Sequence, residues 1–508
     1  MSKALPLSTP VAVVGAGAMG AGIAQVAAVA GHPVRLLDNR PGAAEQAVAG
    51  IRAQLARLAD KGKLTPEAAQ AAGERLSAVE SSADLAGCGL VVEAIVENLE
   101  VKRGLFRELE VICGAGCILA TNTSSISVTS IAAGLQAPER LVGMHFFNPA
   151  PLMALVEIVS GLATERDLAE ALFDTAAAWG KTPVHAKSTP GFIVNRVARP
   201  YYAEGLRLLH EGATDCATID AVMREAGGFR MGPFELMDMI GHDVNFAVTK
   251  SVWNAFYNDP RFLPSLIQQE LVEAGFIGRK SGRGFYDYRE GAERPQPQTA
   301  AAVAAPAPIA VCGDSALAQA LAARLQAAGV TFERRESTDG RVAEAGSAVL
   351  FQTDGRSATQ RAAGTGIADL VLLDLALDYA KATRLAIAVA RQADAAAGQA
   401  AVGLLQAAGF AVSLLRDVPG LPVMRTVAML ANEAADAVNQ GVCDAPAADA
   451  AMRLGVNYPR GPLAWADEVG VGTLRTVLSN LAAFYGEDRY RVSPLIQQAV
   501  FAGSRIHD

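Results

Sequence analysis

An α/β parallel-sheet domain joined to an all-α domain, then a diverged copy of the same pair, is the fold class this sequence predicts. Three observations carry it. From Val11 a short apolar strand (Val11-Ala-Val-Val14), a Gly-rich turn, a small-residue helix to about Gly31 and a second strand (Val34-Arg-Leu-Leu-Asp38) make a βαβ unit. Beyond Thr189-Pro190-Gly191 the period changes to long amphipathic stretches, with no convincing strand until Gly284-Phe-Tyr-Asp-Tyr288. The pattern then restarts. Ile309-Ala-Val-Cys-Gly313 matches Val11-Ala-Val-Val-Gly15, and Pro190, Gly191, Arg196, Glu204, Asp220, Gly232, Pro233 and Asp238 return without gaps as Pro419, Gly420, Arg425, Glu433, Asp449, Gly461, Pro462 and Asp467.

The remaining elements follow in order. Short apolar runs at Leu90–Ile95, Ile118–Thr121, Leu141–His145 and Leu155–Val159 supply further strands, separated by helical or polar stretches such as Leu99–Val111. The first domain is therefore residues 1–188, and residues 189–290 form a helical domain. Gly291 to Pro308 holds Pro295, Pro297, Pro306 and Pro308 among Ala and Gln, the composition of a linker. Residues 309–417 read as a degenerate version of the first domain and 418–508 as a second helical domain. At roughly 150 residues per domain, 508 residues suit about three to four domains.

Composition excludes several classes. Hydrophobic residues at 51% against charged residues at 19% rule out a disordered chain. A net charge of -8 supplies no positive field for nucleic acid or anionic lipid. Six scattered cysteines make no disulfide framework, and Cys113 and Cys117, with no second Cys pair or nearby His, read as buried small apolar residues, so no metal is expected. Ala4 to Val34 carries no Lys, Arg, Asp or Glu, but Gly15, Gly17, Gly20, Gly22 and Gly31 interrupt it, so no membrane span and a cytoplasmic, soluble protein are expected.

Gly15-Ala-Gly17-Ala-Met-Gly20 directly follows a strand and opens a helix. Without side chains there, the backbone can approach a pyrophosphate at the positive end of the helix. Asp38, ending the next strand, is placed to accept hydrogen bonds from an adenosine ribose, so the first domain reads as a Rossmann-type dinucleotide-binding domain. Asp38 would repel a 2′-phosphate and favours NAD; Arg40 keeps NADP open, and FAD also fits the fingerprint alone.

Asn122-Thr-Ser124-Ser125 follows a strand of this domain, where ligands of α/β sheets sit, though a helix-capping turn has the same composition. His145 ends another strand, and Glu157 lies inside the apolar Leu155-Val-Glu157-Ile-Val159, where a carboxylate needs a partner. An imidazole held by a carboxylate has its second nitrogen available to take a substrate proton. Separate structural roles for the two residues are the alternative. No Gly-x-Ser-x-Gly elbow accompanies Ser124, so a Ser-based hydrolase does not fit.

Val91-Val-Glu-Ala-Ile-Val-Glu97-Asn98, Asn122-Thr-Ser-Ser125, His145-Phe-Phe-Asn148-Pro149, Thr189-Pro-Gly-Phe-Ile-Val-Asn195-Arg196 and Met231-Gly-Pro-Phe-Glu-Leu236, with the glycine fingerprint, resemble the 3-hydroxyacyl-CoA dehydrogenases over Val11 to Tyr288. The resemblance implies NAD-dependent oxidation of a (3S)-3-hydroxyacyl-CoA to the 3-oxoacyl-CoA, as in fatty acid β-oxidation. It implies His145 as general base, Glu157 as its orienting partner, Ser124 and Asn195 on the reacting oxygen, and Asn148 beside the substrate. For the cofactor it implies Gly15, Gly17, Ala18, Met19, Gly20, Asp38, Glu97, Lys102 and Asn122. The two-copy layout is similar to members that act on 3-hydroxyadipyl-CoA in phenylacetate breakdown, with 3-hydroxybutyryl-CoA or a broad short-chain range as the alternative. An adipyl chain would need a cation for its far carboxylate. Arg199 lies one turn from Asn195 if that stretch is helical, although a structural or solvated Arg is the other reading. Lys61 and Lys63 could meet CoA phosphates or be ordinary surface lysines.

In the second copy the turn reads Gly313-Asp-Ser315-Ala-Leu-Ala318, no His occurs between His242 and His507, and Met424 stands where the first copy has Asn195. That copy should bind no dinucleotide and perform no such chemistry. Single-copy relatives pair through their helical domains, so the resemblance implies an internal pseudo-dimer through the two helical domains, with further homo-oligomerisation open. A contrasting class is a non-catalytic binding or structural protein on the same fold, against which the intact Ser124, His145, Glu157 and Asn195 set speaks.

Overall fold

The computed structural model describes residues 3–508. The chain forms two compact units, Met1–Arg196 with Gln440–Val456, and Val197–Asn439 with Asn457–Asp508. These units cut across the two copies: a segment of the second helical region belongs to the first unit, and the Pro-rich stretch lies inside the second.

The first unit holds an eight-stranded sheet in the order β3-β2-β1-β4-β5-β6-β7-β8. Its strands are β1 (Val11–Val14), β2 (Val34–Leu37), β3 (Leu76–Val79), β4 (Leu90–Glu93), β5 (Ile118–Thr121), β6 (Leu141–Phe146), β7 (Leu155–Ser160) and β8 (Thr182–Lys187). β3 through β6 run parallel, β7 is antiparallel to β6, and β8 is parallel to β7. The central strands are covered on both faces, which is why they read as unbroken apolar runs; Val13, Leu36, Val92, Met144 and Ile158 all join one buried core. β3 and β8 escape such reading because both are edge strands, and β8 alternates buried and exposed residues. The strand order reverses between β1 and β4, which opens a crevice at the strand C-termini. Helix Ala445–Gly455 packs on β7 and β8, and the Lys187 N–H donates to the Val442 carbonyl at 2.9 Å.

In the second unit, helix Arg199–His210 packs against helix Pro422–Asn439. A seven-stranded sheet, β10-β9-β11-β12-β13-β14-β15, is built from β9 (Ile309–Cys312), β10 (Glu333–Arg335), β11 (Arg341–Ala345), β12 (Ala348–Gln352), β13 (Leu370–Leu373), β14 (Arg384–Val389) and β15 (Ala411–Leu414). β11 runs antiparallel to both β9 and β12. A tight hairpin thus stands where the first sheet makes a parallel crossover, and with it goes the strand-end crevice beside the glycine turn. Gly291–Pro308 has neither helix nor strand, yet it is fastened down: Gln298 N–H donates to Thr218 Oγ1, Ala300 N–H to the Val412 carbonyl, and Gln406 Nε2 to the carbonyls of Ala300 and Ala301.

One expected strand is absent. Gly284–Tyr288 pairs with no strand because its donors go to a buried carboxylate: Asp238 accepts the N–H groups of Phe285 and Tyr286 and the Tyr288 hydroxyl. Among the described residues no helix is long and apolar enough to cross a membrane.

Contacts between repeat-related positions recur with partners exchanged. Arg261 Nη1 lies 3.0 Å from Glu433 Oε2, and Tyr490 Oη, at the position equivalent to Arg261, lies 3.1 Å from Glu204, equivalent to Glu433. Likewise Arg196 donates to Gln440 in the first unit, and Arg425 donates to Glu211 in the second. Reciprocity of this kind is what a two-fold contact generates.

Candidate active site

β1 turns at Gly15, whose φ of 106° belongs to the left-handed region; a Cβ there would lie 2.4 Å from the Ala94 carbonyl oxygen. At Gly20 a Cβ would meet the Gly15 carbonyl oxygen at 1.8 Å, whereas at Gly17 it would meet nothing within 4 Å. Gly15 and Gly20 thus close the strand onto the helix Ala18–Ala30, and Gly17 leaves the first turn bare beside the exposed Ala18 and the half-buried Met19. The cleft here encloses about 1320 Å³ and is lined by Gly15, Gly17, Asp38, Ile95, Val96 and Val101. That volume, with bare amides at one end and a carboxylate at the other, fits a dinucleotide. Asp38 accepts from the Ala16 N–H at 2.7 Å and from Arg40 Nε at 3.0 Å. Burial alone would raise its pKa, but the hydrogen bonds from Arg40 and Ala16 outweigh that and hold it at about 2. Arg40 is therefore drawn onto Asp38.

The polar groups at the neighbouring strand ends brace one another. Glu93, at the end of β4, accepts from Lys102 Nζ at 2.6 Å, Thr121 Oγ1 at 2.7 Å and the Ile95 N–H. Lys102 is 1% exposed, its ammonium shared between Glu93 and Glu97; it reaches the cleft through these carboxylates rather than by its own amine. Glu97 accepts from Thr123 Oγ1, the N–H groups of Ser124 and Ser125, and Ser125 Oγ. Burial opposes its ionisation, yet Lys102 and these donors keep its carboxyl below the usual carboxylate range. Asn122 Oδ1 accepts the Phe146 N–H, tying the end of β5 to β6.

β6 and β7 place His145 directly opposite Glu157. His145 Nδ1 lies 2.6 Å from Glu157 Oε2, with His145 5% and Glu157 0% exposed. The other carboxylate oxygen accepts the N–H groups of Ile193 and Val194, both at 3.0 Å, which open the helix Val194–Val197. Asn195, on that helix, donates to the Ser124 carbonyl at 3.3 Å. The structure thus brings His145, Glu157, Asn195 and Ser124 into one cluster at the strand ends. The rings of Phe147 and Phe192 flank the imidazole at 4.5 and 5.9 Å. Asn148 is exposed on the loop after β6.

A wall of this cluster comes from the far end of the chain. A Cβ on Gly455, at the end of the helix on β7 and β8, would lie 2.7 Å from Leu155 Cδ2 and 3.0 Å from Val194 Cγ2, with Phe147 next at 3.7 Å. Gly455→Val should therefore push on both segments that hold Glu157. The expected result is a loss of about 1–3 kcal/mol of stability and a fall in kcat of roughly tenfold or more from displacement of the dyad. Wild-type kcat in a folded Gly455→Val protein would show that the helix merely covers the sheet.

Comparison with known proteins gives the family. A family model for the 3-hydroxyacyl-CoA dehydrogenase NAD binding domain matches residues 10–189, the corresponding C-terminal domain model matches 191–288 and again 420–505, and a reduced Rossmann-fold model of 3-hydroxybutyryl-CoA dehydrogenase matches 350–419. The chain belongs to the 3-hydroxyacyl-CoA dehydrogenase family. It is 46% identical over 488 residues to the 3-hydroxyadipyl-CoA dehydrogenase of Escherichia coli (strain K12), covering 96% of both chains. The 3-hydroxybutyryl-CoA dehydrogenase of Bradyrhizobium diazoefficiens is 43% identical over 279 residues, 55% of this chain and 95% of that one. A crystal structure titled 3-hydroxybutyryl-CoA dehydrogenase from Escherichia coli K12 covers 98% of this chain and 99% of its own, with 44% identity and a TM-score of 0.89.

This dehydrogenase is thus an NAD-dependent oxidoreductase acting on an acyl-CoA. Its second copy has also rebuilt the dyad position. Asp374 stands 45 residues before Pro419, as His145 stands 45 before Pro190, and its N–H donates to the carbonyl of Ala386, at the position of Glu157. The Asp374 carboxyl accepts the N–H groups of Val423, Met424 and Leu375. One short acid thus caps the helix start that Glu157 caps in the first copy. Burial pushes Asp374 up to about 7 against the pull of those donors. Arg199 belongs to the second unit and opens the helix Arg199–His210 next to Pro200, so it does not continue the helix of Asn195, which ends at Val197. Sequence reasoning missed Glu93, Gln440 and Gly455. Glu93 carries the same signal as Glu157, a carboxylate within an apolar strand; Gln440 and Gly455 carry none, since only folding brings them to the first unit.

Proposed function

We propose that the chain oxidises 3-hydroxyadipyl-CoA to 3-oxoadipyl-CoA in the cytoplasm, as a step of phenylacetate breakdown, with His145 as the base. The observation that carries the acyl assignment is the end-to-end match at 46% identity, both copies included, to the 3-hydroxyadipyl-CoA dehydrogenase of Escherichia coli; 3-hydroxybutyryl-CoA is the alternative, since a structure with that title is also matched end to end. Glu157 fixes Nδ1 of the imidazole and leaves Nε2 to take the proton of the 3-hydroxyl. Ser124 and Asn195 stabilise charge developing on that oxygen, and Asn148 lies beside the substrate. Gly15, Gly17, Ala18, Met19, Gly20 and Asp38 would hold NAD, with Glu97, Lys102 and Asn122 bracing the strand ends beneath it; NAD, when bound, supplies the hydride acceptor. Apolar rings around His145 keep water from the reacting atoms.

The second copy serves in this reading as the partner that single-copy relatives find in another subunit. The exchanged contacts of Arg261 with Glu433 and of Tyr490 with Glu204 support it. Cutting the chain within residues 291–308 should leave a first module that loses activity or self-associates; a monomeric, stable and fully active one would refute the internal pseudo-dimer.

The reaction is tested by NADH formation on 3-hydroxyadipyl-CoA and 3-hydroxybutyryl-CoA. A kcat/KM at least tenfold higher for the adipyl ester is expected. Preference for the butyryl ester would keep the chemistry and discard the acyl assignment.

A further inference from the structure

The helical part of the second unit forms a half-open cavity of about 370 Å³, within the range of small-molecule sites. Most of its wall is apolar, from Tyr202, Leu206, Phe262 and Leu266. One end is not. Arg199, 5% exposed, lines it with the guanidinium 4.8 Å from the Tyr202 ring centre and donates to Thr249 Oγ1 at 3.1 Å. Thr249 in turn donates to the Asn245 carbonyl, and buried Gln268 fixes the Asn245 side chain at 3.0 Å. The cation is therefore held in place by a polar ladder across two helices, half-buried at Thr249 and buried at Asn245 and Gln268.

The other charged groups along the cavity are paired among themselves or with neighbours: Arg207 with Glu204, Arg489 with Glu487, and Glu211 with Arg425 and Tyr485. The second copy shows that the polar end is not inherited packing. The positions equivalent to Arg199 and Thr249 are Ala428 and Leu478, both fully buried in apolar core. A buried Arg and its hydroxyl support, present in one copy and replaced by core residues in the other, mark a site for an anion carried on an apolar body.

We propose that this cavity binds the carboxylate end of a short aliphatic chain, with Arg199 on the carboxylate, Thr249 positioning Arg199, and Tyr202, Leu206 and Phe262 around the methylenes. The ligand of that chemistry is a free dicarboxylate or fatty acid anion bound within the second unit, apart from the reaction.

The test combines calorimetric titration of the full-length protein with adipate, hexanoate and 1,6-hexanediol, and kinetics on 3-hydroxyadipyl-CoA and 3-hydroxyhexanoyl-CoA, which have equal chain length and differ in terminal charge. The two carboxylates should bind and the diol should not. Arg199→Met should abolish that binding, Thr249→Val should weaken it several-fold, and Arg199→Lys, which keeps the cation, should restore part of it and guard against a folding artefact. Arg199→Met should change KM for the two esters equally, as expected of a ligand bound apart from the reaction; a KM rise confined to the adipyl ester would overturn that assignment. No carboxylate binding in the wild type would overturn the site. Preference for the butyryl ester in the preceding assay would remove the adipyl reading alone, since adipate titration decides the cavity independently.

Discussion

His145→Ala lowers kcat on the order of 10³-fold, the range removed with a positioned general base, while NADH binding, read by its fluorescence, stays within about twofold because the dinucleotide cleft is lined by other residues. Glu157→Gln separates orientation from charge. The Glu157 carboxylate accepts on both sides, His145 on one oxygen and the Ile193 and Val194 N–H groups on the other. An amide has one acceptor, so its NH₂ must face either the imidazole N–H or the two backbone donors. The first orientation misdirects the His tautomer; the second leaves buried donors unsatisfied at about 1–3 kcal/mol. Glu157→Gln should therefore lose activity, stability or both, and a variant with wild-type kcat and melting would separate Glu157 from the mechanism.

Arg425→Met should be the most destabilising single change in the second unit. Arg425 is 0% exposed and holds five oxygens of four side chains: Glu204 at 2.7 Å, both oxygens of Glu211 at 2.8 and 3.1 Å, and the hydroxyls of Tyr485 and Tyr490. Glu204 is itself fully buried, and although burial would raise its pKa, Arg207 and Arg425 hold it below the usual range. Removing Arg425 leaves that buried charge to Arg207 and the Tyr490 hydroxyl alone and takes the cation from Glu211 and Tyr485 as well, a broken buried network that costs about 3–5 kcal/mol. Urea denaturation followed by fluorescence would read it as a lowered midpoint, with Arg425→Lys falling between. Because Arg425 lies on the helix that packs against Arg199–His210, the same variant should weaken the packing of the two copies' helices; an unchanged midpoint would show that water or local shifts satisfy Glu204 instead.

Residue type and spacing alone determined much of this protein. The glycine turn, Asp38, and a His and a Glu each within an apolar strand are local signals, because backbone approach, strand ends and the cost of a buried charge are local facts. The restart of the pattern at Ile309 and the loss of glycines and His in the second copy are legible for the same reason. Resemblance to a family added the roles, which physics at the level of single residues left open. Tertiary structure decided the rest. That His145 faces Glu157 is a matter of antiparallel register between β6 and β7, and no spacing distinguishes that register from its neighbours. That Asp374 replaces the dyad, that Gly284–Tyr288 gives its donors to Asp238 instead of a strand, and that Gly455 walls a site formed some 300 residues earlier are all long-range pairings. The chain pairs groups by what folding brings within a few ångströms, and sequence order records that only where the partners are neighbours along the chain.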